Sequence, residues 1–177
     1  MTTEFPDEPV DGFPQPPRTF TDLEGREIQI RRLESDETGA LVAMYDAFDP
    51  EDRAQGIPPS TTEAIREWLD AVLEDDCLNL VAWHGDRAVG HVMLVPDRTG
   101  AYELAIFVLQ AYQGAHIGTE LVRTGLGAGE AAGIERVWLT VERWNSPAVN
   151  LYQKIGFETT DNSDFELEMS LRLAADG

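Results

Sequence analysis

Residues Tyr102 to Glu130 read YELAIFVLQAYQGAHIGTELVRTGLGAGE, and the pattern changes character halfway. From Ala101 to Leu109 the chain is aliphatic, β-branched and aromatic, interrupted by a single charge at Glu103. Such a run predicts a strand buried on both faces. Past the turn, Ile117, Leu121, Val122 and Leu126 recur at spacings of four and five, which puts them on one helical face. The unit is strand, glycine-containing turn, helix. A helix start leaves backbone N–H groups without partners at the positive end of its dipole. A diphosphate is a natural occupant, and Gly114 and Gly118 let it approach without meeting a Cβ. A βα turn that binds nothing is the plain alternative.

The flanks fill in a mixed architecture. Arg26 to Leu33 alternates as a strand, and Ser35 or Asp36 can cap a helix carrying Leu41, Met44, Tyr45 and Phe48. Asp49 to Pro59 reads as a loop. Ser60-Thr61-Thr62-Glu63 is a capping-box pattern ahead of Ile65, Trp68, Leu69 and Val72. Leu78 to Trp83 and Ala88 to Val95 predict two strands joined at Gly85-Asp86. Arg136 to Glu142 alternates again, and a strand–helix–strand unit of this length implies a parallel pair. Ser146 can cap the next helix, Pro147 suits its first position, and Gly156 ends it. Glu158 to Leu173 reads as a short strand, a polar turn and a last strand. Gly125, Gly127 and Gly129 cost the preceding helix about 1 kcal/mol each relative to alanine. Their spacing does not match a dinucleotide fingerprint, so close helix-to-sheet packing is expected.

Two blocks carry a resemblance. Val108, Ala111, Tyr112 and then Gln113 through Gly118 are similar to the pyrophosphate loop of the GNAT superfamily of acetyl-CoA-dependent N-acetyltransferases. His116 departs from that pattern, standing where the family has a glycine. Asn145 to Phe157 resembles the family's Asn-x-x-Ala-x-x-Leu-Tyr-x-Lys-x-Gly-Phe segment at every one of those letters. The resemblance implies an α/β fold, a mixed sheet with helices on both faces and splayed central parallel strands that admit acetyl-CoA. It implies that Phe107 and Val108 face the pantetheine and thioester, and that Gln113, Gly114, Ala115, His116, Ile117, Gly118 and Thr119 supply N–H groups to the diphosphate. It further implies that Asn145 contacts the cofactor and that Tyr152 lies near its sulfur. His116 either adds attraction, with its ring turned outward, or clashes with phosphate.

Acetyl transfer to an amine needs donors at the thioester oxygen, a proton for the leaving thiolate and a neutral nucleophile. A lysine-like amine is neutral in only about one molecule in 10³ at pH 7, so a base helps. Glu103 is the candidate base, because a carboxylate inside an apolar strand has its pKa raised; the alternative is a strand-end acid in water. For Tyr152, the candidate acid, the alternative is a packed helix aromatic.

Composition bounds the rest. The 177 residues suit one domain, with 42% hydrophobic residues. Residues 1–19 hold five of the ten prolines and predict a flexible arm, leaving 20–177 as the domain. No basic-plus-apolar leader and no long apolar run is visible, so a cytoplasmic protein without membrane contact is expected. Cys77 excludes an internal disulfide, and the three histidines show no metal-ligand spacing, so no metal is expected. Thirty-three acids against thirteen bases give −20, and Lys154 is the only lysine. That excess argues against nucleic acid and looks like adaptation to high intracellular salt, or like an acidic face for a cationic substrate. The expected partners are acetyl-CoA and an amine acceptor, the chain being a monomer or homodimer. A non-catalytic CoA-binding module of the same fold and a pure interaction protein are the alternatives.

Overall fold

A computed structural model describes residues 4–48, 59, 61–162 and 165–174. The expected loop at 49–59 and the turn at 163–164 lie almost wholly outside the described residues. Strands β1 (Pro9–Val10), β2 (Arg18–Thr21) and β3 (Glu27–Arg32) precede helices α1 (Thr38–Asp46) and α2 (Thr62–Val72). Next come β4 (Leu78–His84), β5 (Arg87–Pro96), β6 (Tyr102–Val108), α3 (Ile117–Ala131) and β7 (Arg136–Glu142). Helix α4 (Ser146–Ile155) and strands β8 (Glu158–Asn162) and β9 (Glu166–Leu173) complete the chain. The sheet runs β1-β9-β7-β6-β5-β4-β3-β2, with β8 also on β9. Among the described residues no helix is long and apolar enough to cross a membrane.

Helices lie on both faces, and β5 shows why. Adjacent residues on a strand point to opposite faces. Val92 meets α3, where a Cβ on Gly125 would come within 3.2 Å of it. Its neighbour His91 points to α1, with Nδ1 2.6 Å from the Tyr45 hydroxyl. His91 is fully buried, and burial lowers its pKa to about 3, so the ring is neutral. Its Nε2–H donates to Asn79 Oδ1 at 2.7 Å, which leaves Nδ1 to accept from Tyr45. This chain ties β4, β5 and α1 together.

Three expectations need correction. The amino-terminal segment is not a loose arm from residue 4 onward: β1 pairs with β9, and Arg18 pairs with Glu120 on α3. Gly127 explains how. A Cβ there would lie 1.9 Å from the Pro14 carbonyl oxygen, so the missing side chain is the groove in which the segment lies. Gly125 and Gly129 face the sheet instead, against Val92 and Leu94. Second, Asn145, not Ser146, caps α4, its side chain accepting from the Ala148 N–H at 3.4 Å. A short 3-10 turn over Ser35–Glu37 likewise replaces a capped start to α1. Third, β6 is not buried on both faces: Leu104 is buried, whereas Ile106, Phe107 and Val108 are half-buried. The cause is its neighbour.

Candidate active site

Strands β6 and β7 run parallel, yet they pair only at Tyr102↔Val137 and Glu103↔Trp138. On its other edge β7 stays paired with β9 along its whole length, from Arg136 to Glu142. The unpaired half of β6 therefore faces a gap in the sheet. The gap opens into a cleft of about 530 Å³ whose walls include Ile106, Phe107 and Val108 on one side and Thr140, Val141 and Glu142 on the other. Leu151 and Tyr152 of α4 close it from one face and Phe48 from the other.

At the open end stands the start of α3. Its first residue outside the helix, His116, provides no side-chain cap, unlike Thr61 on α2 and Asn145 on α4. Among the described residues none accepts from the N–H groups of His116, Ile117, Gly118 or Thr119. Four amides therefore converge at the positive end of a fifteen-residue helix. A second groove of about 630 Å³ crosses this point, lined by Gly114, His116, Gly118, Thr119 and, from α4, Asn150 and Lys154. Both cavities share Val108, Gln113 and Gly118, so they form one channel. It leads from the uncapped amides of α3 and Lys154 to a slot between strands. That shape suits a long molecule with phosphate at one end.

The loop holds its form through local contacts. Gln113 folds back so that Nε2 donates to the Val108 carbonyl at 2.9 Å. Ala115 is buried, and its carbonyl accepts from Leu23 N–H at 3.2 Å. Ile117 is fully buried beneath the helix start, so Ala115 and Ile117 anchor the turn from within and their side chains do not line the channel. His116 has φ 74°, the left-handed region that L-residues enter at a cost. A glycine is the comfortable residue there, which is the physical reason the pattern has one and His116 departs from it at a cost. His116→Gly is expected to stabilise the fold by about 0.5–1 kcal/mol in urea unfolding. Because the ring lines the groove, the same change is expected to weaken acetyl-CoA binding a few-fold by calorimetry; tighter binding would mean that the ring obstructs.

Tyr152 is 8% exposed, packed edge-on against Phe157 at 5.7 Å, and burial pushes its phenol up to about 12. Phe107 belongs to a ring cluster with Tyr45, Phe48 and Trp68. Glu103 sits where the strands still pair and does not line the channel. Although it keeps solvent contact, partial desolvation raises its carboxyl above the ordinary range, helped by Asp97, Glu166 and Glu168. Thr140 and Glu142 were not expected at the site. They alternate outward with Trp138, a pattern indistinguishable in sequence from a solvated strand face.

A family model described as "Acetyltransferase (GNAT) family" matches residues 41–157. The chain belongs to the GNAT family. It is 36% identical over 103 residues to a mycothiol acetyltransferase of Corynebacterium glutamicum, a match covering 58% of this chain and 35% of that protein. This chain thus spans well under half the length of such GNAT relatives. Among solved structures, a GNAT acetyltransferase from Streptococcus pneumoniae superposes with TM-score 0.71 at 22% identity, covering 83% of this chain and 99% of that one. A PaiA N-acetyltransferase from Thermoplasma acidophilum, solved in complex with coenzyme A, gives 0.65 at 22% identity over 82% and 98%. The GNAT fold of this chain is therefore established: a mixed sheet flanked by helices.

Proposed function

We propose that the chain transfers the acetyl group of acetyl-CoA to a primary amine within a ternary complex. One observation carries the proposal: β6 and β7 part after two residue pairs, and the uncapped α3 start faces the opening. The amides of Gln113 to Thr119 take the diphosphate, with Lys154 adding charge. Val108 and Phe107 line the slot for the pantetheine, and Asn145 borders it while capping α4. Coenzyme A bound to the Thermoplasma relative supports this assignment.

An arm extending from the α3 start along β6 brings its thioester toward the closed end of the gap. The acceptor nitrogen bonds the acetyl carbon as the C–S bond breaks. Tyr152 gives its hydroxyl proton to the sulfur and is reprotonated from water. Glu103 is proposed to receive the amine proton through water, because it lies beside the gap and not in it.

The base assignment has two readouts. Glu103→Gln is expected to lower kcat/KM at pH 7 by about 10–100-fold and to remove the acidic limb of the pH profile. A raised carboxyl pKa means the folded state binds the proton more firmly, so this group's contribution to stability falls as pH rises through the folded value. Glu103→Gln should therefore unfold at a higher temperature than the parent near neutral pH. An unchanged profile would remove Glu103 from the mechanism.

The test of the function is turnover of acetyl-CoA to free CoA with a panel of amines, followed by mass spectrometry of the products. Assays belong in molar KCl as well as dilute buffer, since a net charge of −20 repels itself unless screened. The proposal includes a cytoplasmic setting in which the screening salt is intracellular, with the chain as a monomer or homodimer. Acetyl-CoA binding without turnover on any amine would leave only the non-catalytic module.

A further inference from the structure

Glu142 lines the cleft on the face away from α4 with Trp144 bonded beside it, and the acetyl-transfer reading uses neither. Along β7 the gap opens after Trp138, so Thr140 is the first residue of that face to line the cleft and Glu142 the second. The Trp144 indole N–H donates to Glu142 Oε2 at 3.0 Å and so fixes the carboxylate. Trp144 also meets Phe165 edge-on, with centroids 6.4 Å apart and planes at 90°. The Arg143 N–H donates to the Phe165 carbonyl at 3.0 Å, which holds the two rings on adjoining turns.

These rings are conspicuous. Among the described residues three large apolar side chains are exposed: Leu23, Trp144 at 62% and Phe165 at 69%. Two of the three meet edge-on beside a carboxylate that lines the cleft. Across the β7–β9 ladder Glu142 stands directly opposite Glu166, and Thr140 opposite Glu168. Carboxylates thus gather along this edge of the cleft. Carboxylates and aromatic faces both attract cations.

We propose that Glu142, braced by Trp144, together with the Trp144–Phe165 ring pair, forms a seat for a second positive charge on the acceptor. The proposal rests on the acetyl-transfer reading and names the acceptor's class: a diamine whose far ammonium sits at Glu142 while its near nitrogen reacts deeper in the gap. Thr140 and Glu142 are two residues apart on one face, a step of about 6.7 Å. Two nitrogens joined by four carbons span about 6 Å. A four-carbon diamine covers a comparable length and serves as the probe.

The experiment compares kcat/KM for 1,4-diaminobutane and butylamine, which differ by the second ammonium. The parent is expected to prefer the diamine by about thirtyfold at 0.1 M KCl, with the preference shrinking in 2 M KCl. Glu142→Gln should bring the ratio within about threefold of unity. Trp144→Phe, which keeps a ring but loses the N–H, should lower the ratio by an intermediate factor, and the loss should lie in KM for the diamine. Equal preference in the parent, or a ratio untouched by Glu142→Gln, overturns the seat. So does a change of oligomeric state in Phe165→Ala by sedimentation, which would assign the rings to a second copy of the chain. Should neither amine react, the acetyl-transfer reading fails on its own. Calorimetry of both amines into the CoA-saturated protein then decides the seat: diamine preference abolished by Glu142→Gln supports it, and equal affinities reject it.

Discussion

Tyr152→Phe is expected to lose about 10²–10³ in kcat while its KM for acetyl-CoA stays within about twofold. The ring should remain where it is, because its packing against Phe157 involves carbon atoms only. Its backbone carbonyl also keeps the N–H groups of Gly156 and Phe157, at 3.1 and 2.9 Å. Only the hydroxyl is lost. With its pKa pushed up to about 12, the phenol stays protonated through the neutral range and is always available as a donor. An ordinary thiol has a pKa near 8.5, which would make proton transfer from such a phenol uphill. The same dry wall disfavours a bare thiolate as well, and this narrows the difference. Release of free CoA thiol, followed continuously, measures the effect. A loss below about threefold would make Tyr152 a packing residue and nothing more.

Gly118→Ala separates folding from binding. A Cβ built on Gly118 meets Ile106, Leu151 and Val108 at 3.8–3.9 Å, which is ordinary contact. Nothing in the protein resists it. Alanine is also the better helix former, by up to about 1 kcal/mol. The fold should therefore melt at the same temperature or slightly higher. Those three neighbours, however, line the channel, so the new methyl stands where the strands part and the diphosphate turns into the slot. Acetyl-CoA affinity is expected to fall a few-fold, because the methyl narrows the slot beside Ile106 and Val108 while the amides stay in place. Calorimetry and a melting curve on one preparation give both numbers. Unchanged affinity would mean that the cofactor lies elsewhere.

Most of the architecture was legible because it is local. Alternation in Arg136 to Glu142 and the four-and-five spacing from Ile117 set strand and helix without any knowledge of neighbours. Thr61 caps α2 as its pattern suggested, accepting from Ala64 N–H at 3.2 Å. The parallel relation of β6 and β7 also follows from the crossover rule. How soon they part does not, because the course of β7 is held by full-length pairing with β9, a strand at the far end of the chain. The same reason hid the amino-terminal segment, whose prolines suggest looseness until Gly127 is seen to leave room for Pro14. At the site, Tyr152, Gln113, Gly114, His116, Gly118 and Thr119, which their blocks marked, line the channel. Glu142 was not, since a carboxylate on the outward face of a strand is unremarkable until the sheet opens beside it. His116 was visible as a departure, but only the positive φ shows what the departure costs.

The central claim is that the free amides at the start of α3 hold a diphosphate at the mouth of the gap. Adding coenzyme A to the ¹⁵N-labelled protein while following backbone amide resonances tests it most directly. The expected result is a saturable set of large shifts at His116, Ile117, Gly118 and Thr119, extending along β6 to Val108 and Phe107. Saturation without movement of those four amides, or shifts gathered on another face, would contradict it.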